Sequence, residues 1–208
     1  MIKLSVYILR DSVPFVANRL IESLRTMNST FCSRLLALWW HINLGRGCIF
    51  AGIPYFRKHP SGTITIRDAC IFRSAEWSNS IGLNRRCFLE VGPDAEIVIG
   101  SKSGFSGSII NASSSIRIGE NVLSGGNCTI VDSDRHPLDI SGRRTSAPGK
   151  TEPIVIGNDV FLGMNVVVLK GVTIGEGTIV AANSVVSSSL PEKVLAGGSP
   201  ARVIRSIA

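Results

Sequence analysis

Residues 156–190 read IGNDVFLGMNVVVLKGVTIGEGTIVAANSVVSSSL, and the aliphatic positions in this stretch recur every six residues. One register runs Ile156, Leu162, Val168, Ile174, Val180 and Val186. A second, four residues on, runs Val160, Val166, Val172, Thr178, Ser184 and Leu190. Glycine follows the aliphatic residue at Gly157, Gly163 and Gly175. A period of six is neither the period of about two of a strand nor that of about 3.6 of a helix; it belongs to a parallel β-helix built from hexapeptides. Each hexapeptide forms one side of a triangular prism, its aliphatic residue pointing inward and the small residue after it allowing the corner.

The repeat continues upstream with interruptions. Ile110, Ile116, Val122 and Cys128 keep the spacing of six, while Ile118-Gly119, Ile99-Gly100 and Val91-Gly92 open further repeats. Ile64 with Ile66 marks the first coil, and a one-residue slip between the Ile99 and Ile118 registers reads as a single seven-residue turn. This predicts roughly five to six coils between residues 62 and 190, each about 4.8 Å tall. Short strands in a sandwich or barrel are the competing arrangement, and six consecutive in-register positions argue against it. The chain then divides into an N-terminal helical segment over 1–48, the β-helix over 49–190 with a loop at 131–153, and a tail over 191–208.

Composition agrees with one elongated domain. Of 208 residues, 44% are hydrophobic, 18% are charged and 21 are glycine, enough to build a core without staples. Five cysteines (Cys32, Cys48, Cys70, Cys87, Cys128) are scattered without a CxxC pair. That usage predicts a reducing, cytoplasmic compartment, with Cys128 a small inward-facing residue. The balance of 22 basic to 15 acidic residues gives a formal charge of +7, which would attract anionic lipid or a phosphorylated small molecule. Because the basic residues are spread out and not interleaved with aromatics, no nucleic-acid partner is expected.

The first 48 residues are different in kind. Val13, Val16, Leu20, Leu24 and Met27 recur at helical spacing, as do Phe31, Leu35, Leu38 and Ile42, which reads as two helices with Asn28 or Ser29 capping the second. LLALWWHI, from Leu35 to Ile42, is too short to span a bilayer and is flanked by Arg34 and Arg46. Arg10 and Asp11 interrupt the early apolar run, so no signal peptide is expected. Two arrangements suit this segment. Either the helices pack on the β-helix or a neighbouring subunit, or they make a peripheral contact with the inner membrane surface, where Trp39 and Trp40 suit the headgroup zone.

The period disappears between Ile130 and Ile154, replaced by VDSDRHPLDISGRRTSAPGKTEP. A polar loop leaving a rigid repeat scaffold is where chemistry is to be sought. It carries His136, one of three histidines, two and four residues after Asp134 and Asp132. Either carboxylate could hold the imidazole in one tautomer and raise its basicity.

The run from Asp132 to Ile207 resembles the hexapeptide-repeat acyltransferases, in particular the sugar O-acetyltransferases that include maltose and galactoside acetyltransferase. The strings that carry the resemblance are DSDRHPL at 132–138, PIVIG at 153–157, FLG at 161–163, GVTIG at 171–175, AANSVV at 181–186 and AGGSPARVIR at 196–205. The resemblance implies a left-handed coil, a homotrimer with active sites in clefts between neighbouring subunits, and acetyl-coenzyme A as donor, with no metal. It further implies that His136 is the general base taking the proton from an acceptor hydroxyl. An ordinary imidazole, with a pKa of about 6.5, is mostly neutral at physiological pH. The amide of Met164, just after the FLG turn, would face the tetrahedral oxyanion. Coenzyme contacts carry over to Phe161, Gly163, Met164, Ala182, Ser187, Ser188, Arg202 and Arg205. The two arginines lie three apart, so on a helical turn they would share a face toward the phosphates. Arg143, Arg144, Lys150 and Lys193 are weaker candidates.

Some positions depart from the family. Phe161 stands where tryptophan is common, and Gly104 and Ala112 stand where an asparagine and an aspartate hold the sugar in maltose and galactoside acetyltransferases. The acceptor pocket is therefore not that of a simple galactoside or maltose; the N-terminal segment and the loop from Asp132 to His136 resemble instead those of acetyltransferases that decorate capsule, O-antigen or exopolysaccharide precursors. Acylation of an amino sugar or xenobiotic amine is an alternative, since histidine serves either acceptor. Serine acetyltransferase carries a larger helical domain than 48 residues allow. The γ-class carbonic anhydrases share the coil but bind zinc through three histidines, and His41 and His59 precede the main stack. A catalytically silent β-helix scaffold is the non-enzyme alternative.

Overall fold

In the computed structural model, which describes residues 2–145 and 147–207 with side chains from Ser12 onward, three sheets form the sides of a prism. The first side stacks Asn43–Leu44, Thr63–Ile66, Glu96–Ile99, Ser115–Ile118, Ile154–Ile156 and Thr173–Ile174. The second stacks Ile49–Ala51, Ile71–Arg73, Gly104–Ser106, Leu123–Gly126, Phe161–Leu162, Ile179–Val180, Val194–Gly198 and Ala201–Ser206. The third stacks Tyr55–Lys58, Phe88–Val91, Ile109–Ala112, Thr129–Val131, Val167–Val168 and Val185–Val186. Neighbouring strands pair in parallel from one coil to the next, and only the last two, joined as a hairpin, are antiparallel. The first coil starts at Asn43, ahead of the Ile64–Ile66 pair expected to open it.

Inward positions stack in columns. Ile66, Ile99, Ile118, Ile156 and Ile174 are consecutive partners on the first side. Phe50, Phe72 and Phe105 stack on the second with ring centroids 5.2 and 5.3 Å apart. Val160, Val166, Val172, Thr178 and Ser184 fill the corners and are buried, as is Cys128. Burying one such aliphatic side chain contributes about 1.5–3 kcal/mol, so the columns are the main source of stability. Burial also pushes the thiols of Cys87 and Cys128 up, leaving them protonated packing groups.

Two expectations about the coil change. The slip between Ile99 and Ile118 is not one seven-residue turn: five residues separate the stacked positions Phe105 and Ile110, and eight separate Ile110 from Ile118. The glycines after the aliphatic residues do not supply the left-handed backbone of the corner either. That backbone falls two residues later, at Asp159 (φ 55°), Asn165 (φ 60°) and Gly177 (φ 65°), where Asn, Asp and Gly are tolerated. Gly157 is required by close approach: a Cβ there would lie 2.7 Å from the Glu176 amide nitrogen of the next coil.

The N-terminal segment is one helix, Ile2–Trp39, and not two. Ser29 lies inside it, and its hydroxyl caps no helix start. Instead it donates to Phe50 O at 2.6 Å and accepts from the Gly52 amide at 3.1 Å, while Thr30 Oγ1 accepts from the Phe50 amide at 3.0 Å. The helix thus satisfies the open edge of the first strand on the second side, a row of backbone groups that would otherwise invite pairing. Among the described residues no helix is long and apolar enough to cross a membrane.

Replacing Gly157 with alanine is expected to destabilise the protein by about 1–3 kcal/mol, because backbone atoms above it must move. A lowered urea midpoint with unchanged slope would show this; an unchanged midpoint would remove the close-approach account.

Candidate active site

The loop after Thr129–Val131 leaves the third side and returns at Ile154 on the first. Its base is closed by an antiparallel bridge between Ser133 and Thr151 and by the Glu152 amide donating to Asp132 O at 2.9 Å. Asp132 is fully buried, and its two carboxylate oxygens accept from the amides of Ser113 and Ser114 at 2.7 and 2.8 Å. Such charge-assisted bonds compensate the cost of burying a carboxylate. Asp134 is held by Lys170, whose Nζ donates to Oδ1 at 2.6 Å with both side chains about a quarter exposed. Neither carboxylate therefore orients the imidazole of His136 within this chain: Asp132 braces the loop against the coil, and Asp134 pairs with a lysine.

Arg135 provides a third anchor. It sits at φ 62°, and its guanidinium donates to Asn111 Oδ1 at 2.9 Å. Asn111, buried on the third side, donates in turn to Glu90 Oε2 at 2.7 Å, and Arg57 donates to Glu90 Oε1 at 3.4 Å. His136 follows directly, its backbone fixed by a 2.7 Å bond from its amide to Asp134 O. A Cβ on Gly149 would lie 2.8 Å from the His136 amide nitrogen, so the returning strand of the loop packs directly under the histidine. The ring itself is exposed and has no hydrogen-bond partner among the described residues. Further along, Ile140–Arg144 forms a short helix capped by Asp139, whose carboxyl is held below its ordinary range by the Ser141 hydroxyl and the Gly142 amide. Lys150 does the same for Glu152.

The residues assigned to the coenzyme gather elsewhere. Phe161, Gly163, Met164 and Ala182 line a cavity of about 520 Å³ on the second side, together with Leu123, Ile179 and Val180. The Met164 amide donates to no acceptor among the described residues. Arg202 and Arg205 lie on Ala201–Ser206, a strand and not a helical turn. They still share a face: a bulge lets them pair with Gly197 and Leu195, two residues apart on the neighbouring strand. Ser187 and Ser188 are exposed beyond the last strand of the third side. No residue of the 131–153 loop lines the cavity, so a single chain does not bring His136 against it.

A second excursion escaped the hexapeptide reading. Ile66 and Ile99 stack directly although 33 residues apart, because residues 74–87 leave the coil between Ile71–Arg73 and Phe88–Val91. Arg85 pins this segment, donating to Gly107 O at 3.0 Å and Thr129 Oγ1 at 3.0 Å. Asn79 and Ile81, with Arg73 beside them, wall one end of the cavity. The overlong gap was visible in the sequence. The roles of Asn111 and Glu90, outward residues on ordinary strands, carried no such signal.

Residues 153–188 match the family described as bacterial transferase hexapeptide (six repeats). A hexapeptide-repeat acetyltransferase of Vibrio cholerae is 37% identical, and its structure aligns over 59% of this chain and 70% of its own with a TM-score of 0.50. Galactoside acetyltransferase in complex with coenzyme A is 31% identical, covering 68% of this chain and 66% of its own, with a TM-score of 0.53. The galactoside O-acetyltransferase of Escherichia coli K12 is 40% identical over 92 residues, 44% of each chain, so the match spans under half of that relative's length. The chain belongs to the hexapeptide-repeat acetyltransferase family, and its coil is the left-handed parallel β-helix.

Asp132→Ala is expected to leave the half-buried amides of Ser113 and Ser114 without their acceptors and to cost about 2 kcal/mol. Faster hydrogen exchange at Ser113 and Ser114 would report it directly; protection equal to wild type would show that Asp132 does not brace the loop.

Proposed function

We propose that this protein transfers an acetyl group from acetyl-coenzyme A to a hydroxyl of a sugar or polysaccharide precursor, and that it does so as a homotrimer in the cytoplasm. The observation that carries the reading is the cavity walled by Phe161, Gly163, Met164 and Ala182, four positions that the family resemblance assigns to the donor. The coenzyme A complex of galactoside acetyltransferase and the name of the E. coli relative support donor and acceptor class. The five cysteines, all unpaired, support a reducing compartment.

The chemistry follows from the groups present. The neutral imidazole of His136, exposed on an anchored loop, takes the proton of the acceptor hydroxyl as its oxygen attacks the thioester carbonyl. The C–O bond forms, and negative charge collects on the carbonyl oxygen, where the uncommitted Met164 amide is a fitting donor. Collapse breaks the C–S bond, and the imidazolium returns the proton to the departing thiolate. The mostly apolar wall on the second side suits a pantetheine arm, while Arg202 and Arg205 on one face of the last strand suit phosphates. Because His136 and the cavity belong to different sides of one prism, a cleft between two copies is the arrangement that brings them together.

Calorimetry with acetyl-coenzyme A should show binding to wild type and to His136→Ala alike, with turnover in the variant lower by about 10²–10⁴-fold on sugar acceptors, amino sugars included. Failure of both proteins to bind would return the coil to a scaffold role. Light scattering should give a trimer, and a monodisperse monomer would remove the shared cleft.

A further inference from the structure

The N-terminal helix is amphipathic in the opposite sense to a helix held only by its own coil. Its inner face is small and polar: Ser29, Ser33 and Ala37, four residues apart, are buried, and Ser29 caps the first strand of the second side. About 150° around the helix run Leu20, Leu24, Met27, Phe31, Leu35 and Leu38, spaced three or four residues apart. All six are exposed, Leu24 by 65% and Leu38 by 72%. Beside the end of this stripe Trp39 is 79% exposed. Folding of this chain alone would place that face inside. A continuous apolar stripe left in water marks an interaction surface.

We propose that this stripe lies in the plane of an anionic membrane surface. The charges around it argue for lipid over a second copy of the chain. The helix carries Arg19, Arg25 and Arg34 against Glu22 among its described charged residues. Arg25 is turned toward the coil, 5.9 Å from the Trp77 ring, and Glu22 is half-buried on that same side. Arg19 and Arg34 have no acidic partner among the described residues. Among the helix side chains described, Arg34 borders the stripe and Glu22 lies on the opposite face, so copies packed through the stripe would find no helix carboxylate there, where paired helices usually place opposite charges. Anionic headgroups supply the missing charge, attracting arginines held near such a surface. Trp39 suits the headgroup layer, where an apolar ring and a polar N–H are both satisfied. With no helix apolar enough to cross among the described residues, the stripe rests in the interface and does not span it. This surface is independent of the acetyl-transfer reading.

The test is co-sedimentation of the full chain with phosphatidylcholine vesicles made with and without phosphatidylglycerol. Wild type should pellet with the anionic vesicles, less so as salt is raised. The double variant Leu24→Glu/Phe31→Glu, changed only at exposed positions, should bind at least about tenfold more weakly, with unchanged circular dichroism and unchanged mass by light scattering. Wild type that ignores anionic vesicles, or a variant that binds as well as wild type, would overturn the proposal. A variant that falls to a smaller assembly would also overturn it and assign the stripe to a second copy.

Discussion

Ile66, Ile99, Ile118, Ile156 and Ile174 lie directly above one another, and the rest of the molecule follows from that stacking. A coil of hexapeptides has no core of its own; its inward residues are covered only by the coils above and below. Strands of successive coils are therefore parallel and stacked residue on residue, with the antiparallel hairpin at the end of the second side as the exception. Backbones of successive coils approach so closely at the corners that Gly157 admits no Cβ. The tolerance for left-handed backbone moves two residues on, to Asp159 and its equivalents.

A stack of this kind has two open ends, and each is handled differently. At the first, Ser29 and Thr30 on the N-terminal helix saturate the exposed edge of Ile49–Ala51 with side-chain hydroxyls. At the last, the chain folds back as an antiparallel hairpin on the second side, whose bulge sets Arg202 and Arg205 on one face. The choice of small polar residues for the capping face of the helix has a consequence. Leu20, Leu24, Met27, Phe31, Leu35 and Leu38 are left exposed.

The rigid coil also explains how a loop of more than twenty residues can present a histidine. Both ends of the 131–153 loop are fixed by the register of the coils that flank it, Ile130 on Val168 and Ile118 on Ile156. Three anchors then hold the rising segment: Asp132 on two amides, Asp134 on Lys170, and Arg135 on Asn111, itself bonded to Glu90. The order lost by leaving the ladder is recovered through side chains, and His136 follows with its ring free. The second excursion, residues 74–87, uses the same device through Arg85 and closes one end of the cavity on the second side.

By itself the sequence determined the fold and the position of the histidine loop. The period of six is local, repeated and tied to burial, so Ile156 to Val186 could be read inward-facing without knowing what they touch, and the interruption after Ile130 stood out against it. The partners of individual polar groups were decided only by tertiary structure. Asp132 meets Ser113 and Ser114, Arg135 meets Asn111, and Ser29 meets Phe50, each pair brought together from about twenty residues apart by stacking or docking. Proximity in sequence pointed Asp132 and Asp134 at His136, and helical spacing gave Arg202 and Arg205 a common face for a different reason from the bulge that provides it. A hydrogen bond depends on which atoms the fold places about 3 Å apart, and in a coil that distance is set by the next turn of the prism, not by the next residue in the chain.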